Sequence, residues 1–196
     1  LKHYVDILDR QHRWLYREAG EIRGLRGQTL GIFGLGKIGR ALAVRAQAFG
    51  IDVVAYDPYL PPAIAEQVHV KLVSPQYIQE NCTIISNHMI QTAEVEDYFN
   101  EAFFSGLKRA PIFLNVARGG AVDEAALLDA LETGKVSAAG LDVFKDENPD
   151  LSQNSFLGRN NVMVTPHAAF YSKESVARAQ KISVENIIYY LKGEYE

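Results

Sequence analysis

Apolar and polar positions along this chain switch between two periods, and the switches mark out its elements. Short apolar runs predict strands at 29–34, 52–56, 82–87, 111–115, 137–141 and 161–165, with a weaker one near 69–72. Between them the spacing becomes helical, which predicts helices over 37–49, 74–80, 100–108, 123–133 and 172–192. Asp123 is placed to cap the helix that Glu124 enters, and Gly134 is placed to stop it. In the last helix Val184, Ile187, Ile188 and Leu191 fall at i, i+3, i+4 and i+7 and form one stripe. Ahead of the first strand, residues 1–19 carry Leu1, Tyr4, Val5, Leu8 and Leu15 on one side and Lys2, Arg10, Arg13 and Arg17 on the other. That apolar side needs a surface to cover it, and a second subunit would serve; the basic side is a solvated face. Gly24 to Gln28 makes the turn into the strands, so residues 1–24 form a leading helix and turn. Strand and helix alternate throughout, which implies right-handed crossovers and an α/β fold with a doubly wound parallel sheet and helices on both faces.

Bulk properties restrict the class of function. The chain has 196 residues, 47% apolar and 22% charged, enough for one good core in a globular domain. A net charge of −4 gives no reason to expect nucleic acid or an anionic membrane as a partner. The one cysteine, Cys82, lies in the apolar run Cys82-Thr83-Ile84-Ile85 and suits a buried thiol in a reducing cytoplasm. No stretch approaches the roughly 20 apolar residues of a membrane span, and neither a signal peptide, an internal repeat nor a metal-ligand cluster is visible.

Between the first strand and the first helix stand Gly34-Leu35-Gly36-Lys37-Ile38-Gly39, and Asp57 closes the second apolar run, Val53-Val54-Ala55-Tyr56. Strand, glycine turn, helix, strand and acid is the order of a dinucleotide site on a Rossmann-type sheet. Gly34 allows the tight turn, Gly36 lets backbone approach a pyrophosphate, and Gly39 lets helix and strand pack closely. The helix N-terminus offers N–H groups and partial positive charge to the phosphates. Asp57 can take both ribose hydroxyls of the adenosine and would repel a 2′-phosphate, so the cofactor is read as NAD rather than NADP.

Ligands of such sheets lie outside the carboxyl ends of the strands. Three side chains there share a chemistry: Arg118 after Ile112-Phe113-Leu114-Asn115, Glu147 after Leu141-Asp142-Val143-Phe144, and His167 ending the strand Val162-Met163-Val164 through Thr165-Pro166. Singly, each has an ordinary explanation as a surface or loop residue. Together, on the nucleotide side, they point to a site. His3, His12 and His69 lie outside the strand ends and receive no role.

The segments Gly27-Gln28-Thr29-Leu30-Gly31-Ile32, Gly34–Gly39, Ala48-Phe49-Gly50, Tyr56-Asp57-Pro58-Tyr59, Asn115–Gly120, Val122-Asp123-Glu124, Leu141–Phe144 and Thr165-Pro166-His167 resemble those of the NAD-dependent D-isomer-specific 2-hydroxyacid dehydrogenases. The likeness covers nearly the whole chain in order. Within the family, Tyr56–Leu60 and His167–Ser172 are especially similar to the C-terminal-binding-protein branch of corepressors, and phosphoglycerate-dehydrogenase-like members are the other near neighbours. The resemblance implies that Arg118 holds the carboxylate and carbonyl oxygen of a 2-keto acid. His167 would be the general acid, or the base in reverse, and Glu147 would orient it. It also puts Lys37 and Ile38 by the pyrophosphate, Asp57 on the adenosine ribose and Met89, Ile90 and Thr92 beside the cofactor. Asp142, Val116, Ala117, Ala169 and the catalytic pair would face the nicotinamide, with Phe170 as a substrate wall.

Departures from the family pattern matter. Where many members read His-x-Pro-Leu-Thr, this chain has His88-Met89-Ile90-Gln91-Thr92, and the usual Glu-Pro pair is Glu147-Asn148-Pro149. His88 is read as a loop residue supporting the cofactor, not as the catalytic acid. By resemblance the chain is a cofactor domain, residues 1–196, with the N-terminal substrate domain absent. Two functions are carried forward: a dehydrogenase interconverting a 2-keto acid and a D-2-hydroxy acid, and an NAD(H)-responsive corepressor-like binding protein with little turnover. A homodimer is expected through this domain.

Overall fold

The computed structural model describes residues 22–194, together with His12 and Trp14; apart from those two positions, the helix expected over 1–19 lies outside the described residues. Seven strands form one sheet: β1 (Thr29–Phe33), β2 (Asp52–Tyr56), β3 (Lys71–Leu72), β4 (Ile84–Asn87), β5 (Ile112–Asn115), β6 (Ala138–Leu141) and β7 (Val162–Val164). All neighbours pair in parallel, in the order β3-β2-β1-β4-β5-β6-β7. The expected doubly wound architecture is therefore present, and strand order reverses between β1 and β4, which opens a crevice at their carboxyl ends.

The connecting helices are α1 (Lys37–Ala48), α2 (Pro62–Glu66), α3 (Pro75–Asn81), α4 (Glu101–Ser105), α5 (Glu124–Glu132) and α6 (Lys173–Lys192). Period-two alternation in β1 sends Leu30 and Ile32 to one face, where they pack with Leu35, Ala43, Ala46 and Val53. Phe33 goes to the other, into a core with Ile85, Phe99, Phe103, Phe104 and Phe113. There the ring of Phe33 meets Phe99 edge-on at 5.1 Å and Phe103 at 5.5 Å. Such pairs add about 0.5–1.5 kcal/mol each beyond area burial.

Several expected boundaries move. The strand expected over 82–87 starts at Ile84, because Cys82 caps α3. The helix expected over 100–108 stops at Ser105, with Gly106 as its cap and Leu107 already buried in the core. Short α2 and the 3₁₀ turns Gly119–Ala121 and Leu151–Gln153 were not expected. Asp123 does cap α5, accepting from the N–H groups of Ala125 and Ala126 at 3.0 and 3.1 Å. The stripe on α6 exists but faces outward: no residue of that helix is buried, and Leu191 is 77% exposed.

Candidate active site

The glycine turn and the loop after β4 meet directly. Gly34 has φ +88°, and a Cβ there would sit 2.8 Å from the His88 carbonyl carbon, so only glycine fits. Gly39 is buried in the first turn of α1, against the Gly34 carbonyl. Gly36 differs, since a Cβ on it would meet nothing within 4 Å. It caps α1 without a side-chain hydrogen bond and leaves the space before the helix open, with the first-turn N–H groups aimed there. Lys37 and Ile38 lie exposed at that end, Ile38 at 70%. These features fit a pyrophosphate group.

Asp57 is fixed at the end of β2. Its Oδ2 accepts the Leu35 N–H at 2.9 Å, and its Oδ1 accepts those of Tyr59 and Leu60 at 3.1 Å. The carboxylate therefore stands beside the glycine turn, with an acceptor site on Oδ2 left for a sugar hydroxyl. Across the crevice Met89 is half-buried, while Ile90 and Thr92 are exposed. His88 receives a hydrogen-bonding contact between its Nε2 and Ser86 Oγ at 2.9 Å. Burial pushes its pKa down to about 4, so it is neutral near pH 7 and unsuited to donating a proton there.

The chemistry-bearing side chains gather at three adjacent strand ends. Asn115 is in register with Leu141, and Leu141 with Val164. The ladder continues past the strands, with Asp142 N–H on the Asn115 carbonyl at 2.9 Å and Thr165 N–H on that of Leu141 at 3.0 Å. A Cβ on Gly119 would overlap the Phe144 carbonyl, so this glycine lets the Arg118 loop lie on the loop leading to Glu147. Arg118 is exposed, bonds through Nη1 to the Ala117 carbonyl at 2.8 Å, and forms no ion pair among the described residues. Val116 is exposed beside it and Ala117 is half-buried.

His167 lies in the turn after β7 rather than at the strand end. Its φ of 50° is uncommon for a residue with a Cβ. The turn is anchored on Asp142, 4% exposed, whose carbonyl accepts the His167 N–H at 2.8 Å. The Asp142 carboxylate accepts the Thr165 hydroxyl at 2.5 Å and the N–H groups of Ala168 and Ala169 at 2.8 and 2.9 Å. Burial alone would raise the Asp142 pKa; the Thr165 hydroxyl, the two N–H groups and nearby His167 outweigh it and hold it below the ordinary value. His167 Nδ1 then meets Glu147 Oε2 at 3.0 Å. With side chains 43% and 64% exposed, this pair adds at most about 1 kcal/mol to stability. Its consequence is orientation: Glu147 occupies Nδ1 and leaves Nε2 for a ligand. Phe170, 63% exposed, stands edge-on to the imidazole at 6.3 Å. A cavity of about 390 Å³ opens beside the pair, walled by Phe144, Leu151, Leu157 and Val164.

Asn87 and Asn115, both wholly buried at the ends of β4 and β5, received no role from the sequence. The only signal was an asparagine closing each of two apolar runs.

Residues 2–169 match the family described as D-isomer specific 2-hydroxyacid dehydrogenase, NAD binding domain. The chain is 40% identical over 169 residues to D-3-phosphoglycerate dehydrogenase of Archaeoglobus fulgidus, covering 86% of this chain and 32% of that protein. It is 39% identical over 191 residues to the enzyme of the same name from Mycobacterium bovis, covering 97% and 36%. It thus spans about a third of the length of these relatives. Among solved structures, D-lactate dehydrogenase from Aquifex aeolicus, complexed with NAD and lactic acid, superposes with a TM-score of 0.87 at 30% identity, over 98% of this chain and 61% of that one. A sheet of the expected order, a glycine turn closed by Asp57 and a match over most of its length agree: the chain belongs to the D-isomer-specific 2-hydroxyacid dehydrogenase family, as its NAD-binding domain.

Proposed function

We propose that the protein carrying this chain is an NAD-dependent dehydrogenase that interconverts a 2-keto acid and a D-2-hydroxy acid. One observation carries the reading: His167 is held by Glu147 at 3.0 Å, in a turn next to the loop that presents the exposed Arg118. NAD(H), when bound, would supply or take up the hydride. Gly36 and the first turn of α1 would hold its pyrophosphate and Asp57 its adenosine ribose. Met89, Ile90, Thr92, Val116, Ala117, Asp142 and Ala169 would border the rest of it.

Arg118 binds the carboxylate and carbonyl oxygen of the acid through its planar fork. The His167 imidazole, protonated at Nε2, gives that proton to the carbonyl oxygen; in the reverse direction neutral Nε2 takes it from the hydroxyl. Glu147 accepts from Nδ1–H throughout, which keeps the ring in place. Phe170 forms part of the substrate wall. The relatives named above are dehydrogenases, which favours turnover over a corepressor-like role.

A cytoplasmic homodimer completes the reading. Cys82 is a free buried thiol, pushed up to about 12 by burial, which suits a reducing compartment. Val184, Ile187 and Leu191 of α6 are exposed and suit an interface. Among the described residues no helix is long and apolar enough to cross a membrane.

Steady-state assay of the whole protein with NADH and a panel of 2-keto acids tests the activity; no NADH oxidation with any of them defeats it. His167→Ala should lower kcat by about 10²–10⁴-fold, the usual contribution of a general acid–base. An unchanged rate would put the acid elsewhere.

A further inference from the structure

We propose that Asn87 and Asn115 are positioning residues: their paired amides hold the cofactor loop and the Arg118 loop in one register. The inference rests on the reading of Arg118 as carboxylate ligand and of residues 88–92 as cofactor loop. Both side chains are buried, at 0% and 1% exposure, next to two further buried polar residues, Ser86 and Asp142. A buried amide is costly unless bonded, so where its bonds go tells what it is for.

The two residues are in register on neighbouring strands, and Asn87 Nδ2 donates to Asn115 Oδ1 at 3.1 Å. Each then turns to its own loop. Asn87 Oδ1 accepts the Met89 N–H at 3.0 Å. Asn115 Oδ1 accepts the Ala117 N–H at 3.2 Å, and its Nδ2 donates to the Arg118 carbonyl at 2.9 Å. Asn115 therefore grips the main chain on both sides of the Arg118 Cα.

This grip matters because little else aims Arg118. Among the described residues its exposed guanidinium bonds only to the adjacent Ala117 carbonyl. The direction in which the side chain leaves the sheet is set by its main chain, which Asn115 holds from below while Gly119 seats it against the Phe144 carbonyl. Two leucines share the branched outline of the amides but would tie neither loop.

The bond pattern predicts a split between two near-isosteric variants of the whole protein. Asn115→Leu should raise the KM for a 2-keto acid about tenfold or more, the scale of one or two lost buried hydrogen bonds, with NADH affinity within about threefold of the parent. Asn87→Leu should do the opposite, weakening NADH about tenfold and moving the keto-acid KM little. In hydrogen exchange, the Ala117 amide should lose protection in the first variant and the Met89 amide in the second, while Phe113 stays protected in both. If Asn115→Leu does not fold, Asn115→Ser keeps a short acceptor for Ala117 and still releases the Arg118 carbonyl, so the same KM rise is expected.

Lower melting temperatures with unchanged KM, NADH affinity and amide protection would overturn the proposal and leave the pair a packing feature. If the parent protein oxidises no NADH, the dehydrogenase reading fails separately. NADH affinity and amide exchange at Met89 and Ala117 then still decide the proposal.

Discussion

Asp57 does two jobs with one carboxylate. It accepts the Leu35 N–H of the glycine turn at the end of β2, and in the proposed reading it also takes the ribose of the cofactor. Removing it therefore has two consequences, which NADPH separates. Asp57→Ala should weaken NADH by about tenfold or more, as expected for lost bonds to a charged acceptor. NADPH should suffer less, because the repulsion of its 2′-phosphate goes with the carboxylate. Fluorescence titration with both cofactors checks this; an equal loss for the two would mean that only the turn had been damaged. Asp57, Arg118, Glu147 and His167 were legible in the sequence because each is a distinctive side chain beside a strand end. Asn87 and Asn115 were not, because their meaning lies in a strand register that spacing along the chain does not reveal. Asp142 was legible as a strand-end acid, but its three donors come from the turn after β7.

At the scale of elements, the same physics decides what the pattern shows and what it hides. Strands β1, β2, β5 and β6 announce themselves as apolar runs, and α5 through its Asp123 cap. Helix α2, five residues long, is too short for a helical period to register, whereas α4 was expected from its spacing and only its end, at Ser105, was not. The turn Thr165–Ala169 has no period at all; Asp142 holds it from β6. That dependence gives a pH signature. A carboxylate whose folded pKa is depressed contributes stability that is present above its unfolded value of about 3.9 and is lost as pH falls through the folded value. Asp142→Asn should therefore cost about 1.5–3 kcal/mol at pH 7, where it loses hydrogen bonds to a charged acceptor. Its amide NH₂ would also face donors. The deficit relative to the parent should shrink below about pH 4, as the parent's own carboxylate becomes protonated. Urea unfolding of both proteins between pH 7 and pH 3 measures it, and a deficit independent of pH would show that the ionised carboxylate is not what anchors the turn.

At the scale of the molecule, the cofactor cradle and the catalytic side chains place different demands on the chain. Every group that would hold NAD(H) lies at the carboxyl ends of strands in one continuous sheet, backed by an apolar core on each face. On the proposed reading the cradle is therefore complete within this chain. Substrate is another matter: Arg118, His167 and Phe170 are all exposed, and no described residue faces them from the other side of a cleft. An exposed Arg binds a carboxylate in competition with water and salt, which weakens the contact strongly. The 196-residue chain on its own should thus bind NADH and turn over little keto acid. Binding to the folded state alone stabilises it by about 2.7 kcal/mol at a ligand concentration of 100 Kd. For a domain of this size each kcal/mol moves the melting temperature by about 2–4 °C. Saturating NADH should accordingly raise the Tm of the isolated chain by roughly 5–11 °C, with NADPH raising it less at the same concentration. Differential scanning calorimetry with each cofactor measures both shifts, and an NADH shift of zero would show that the cradle needs more of the protein than this chain contains.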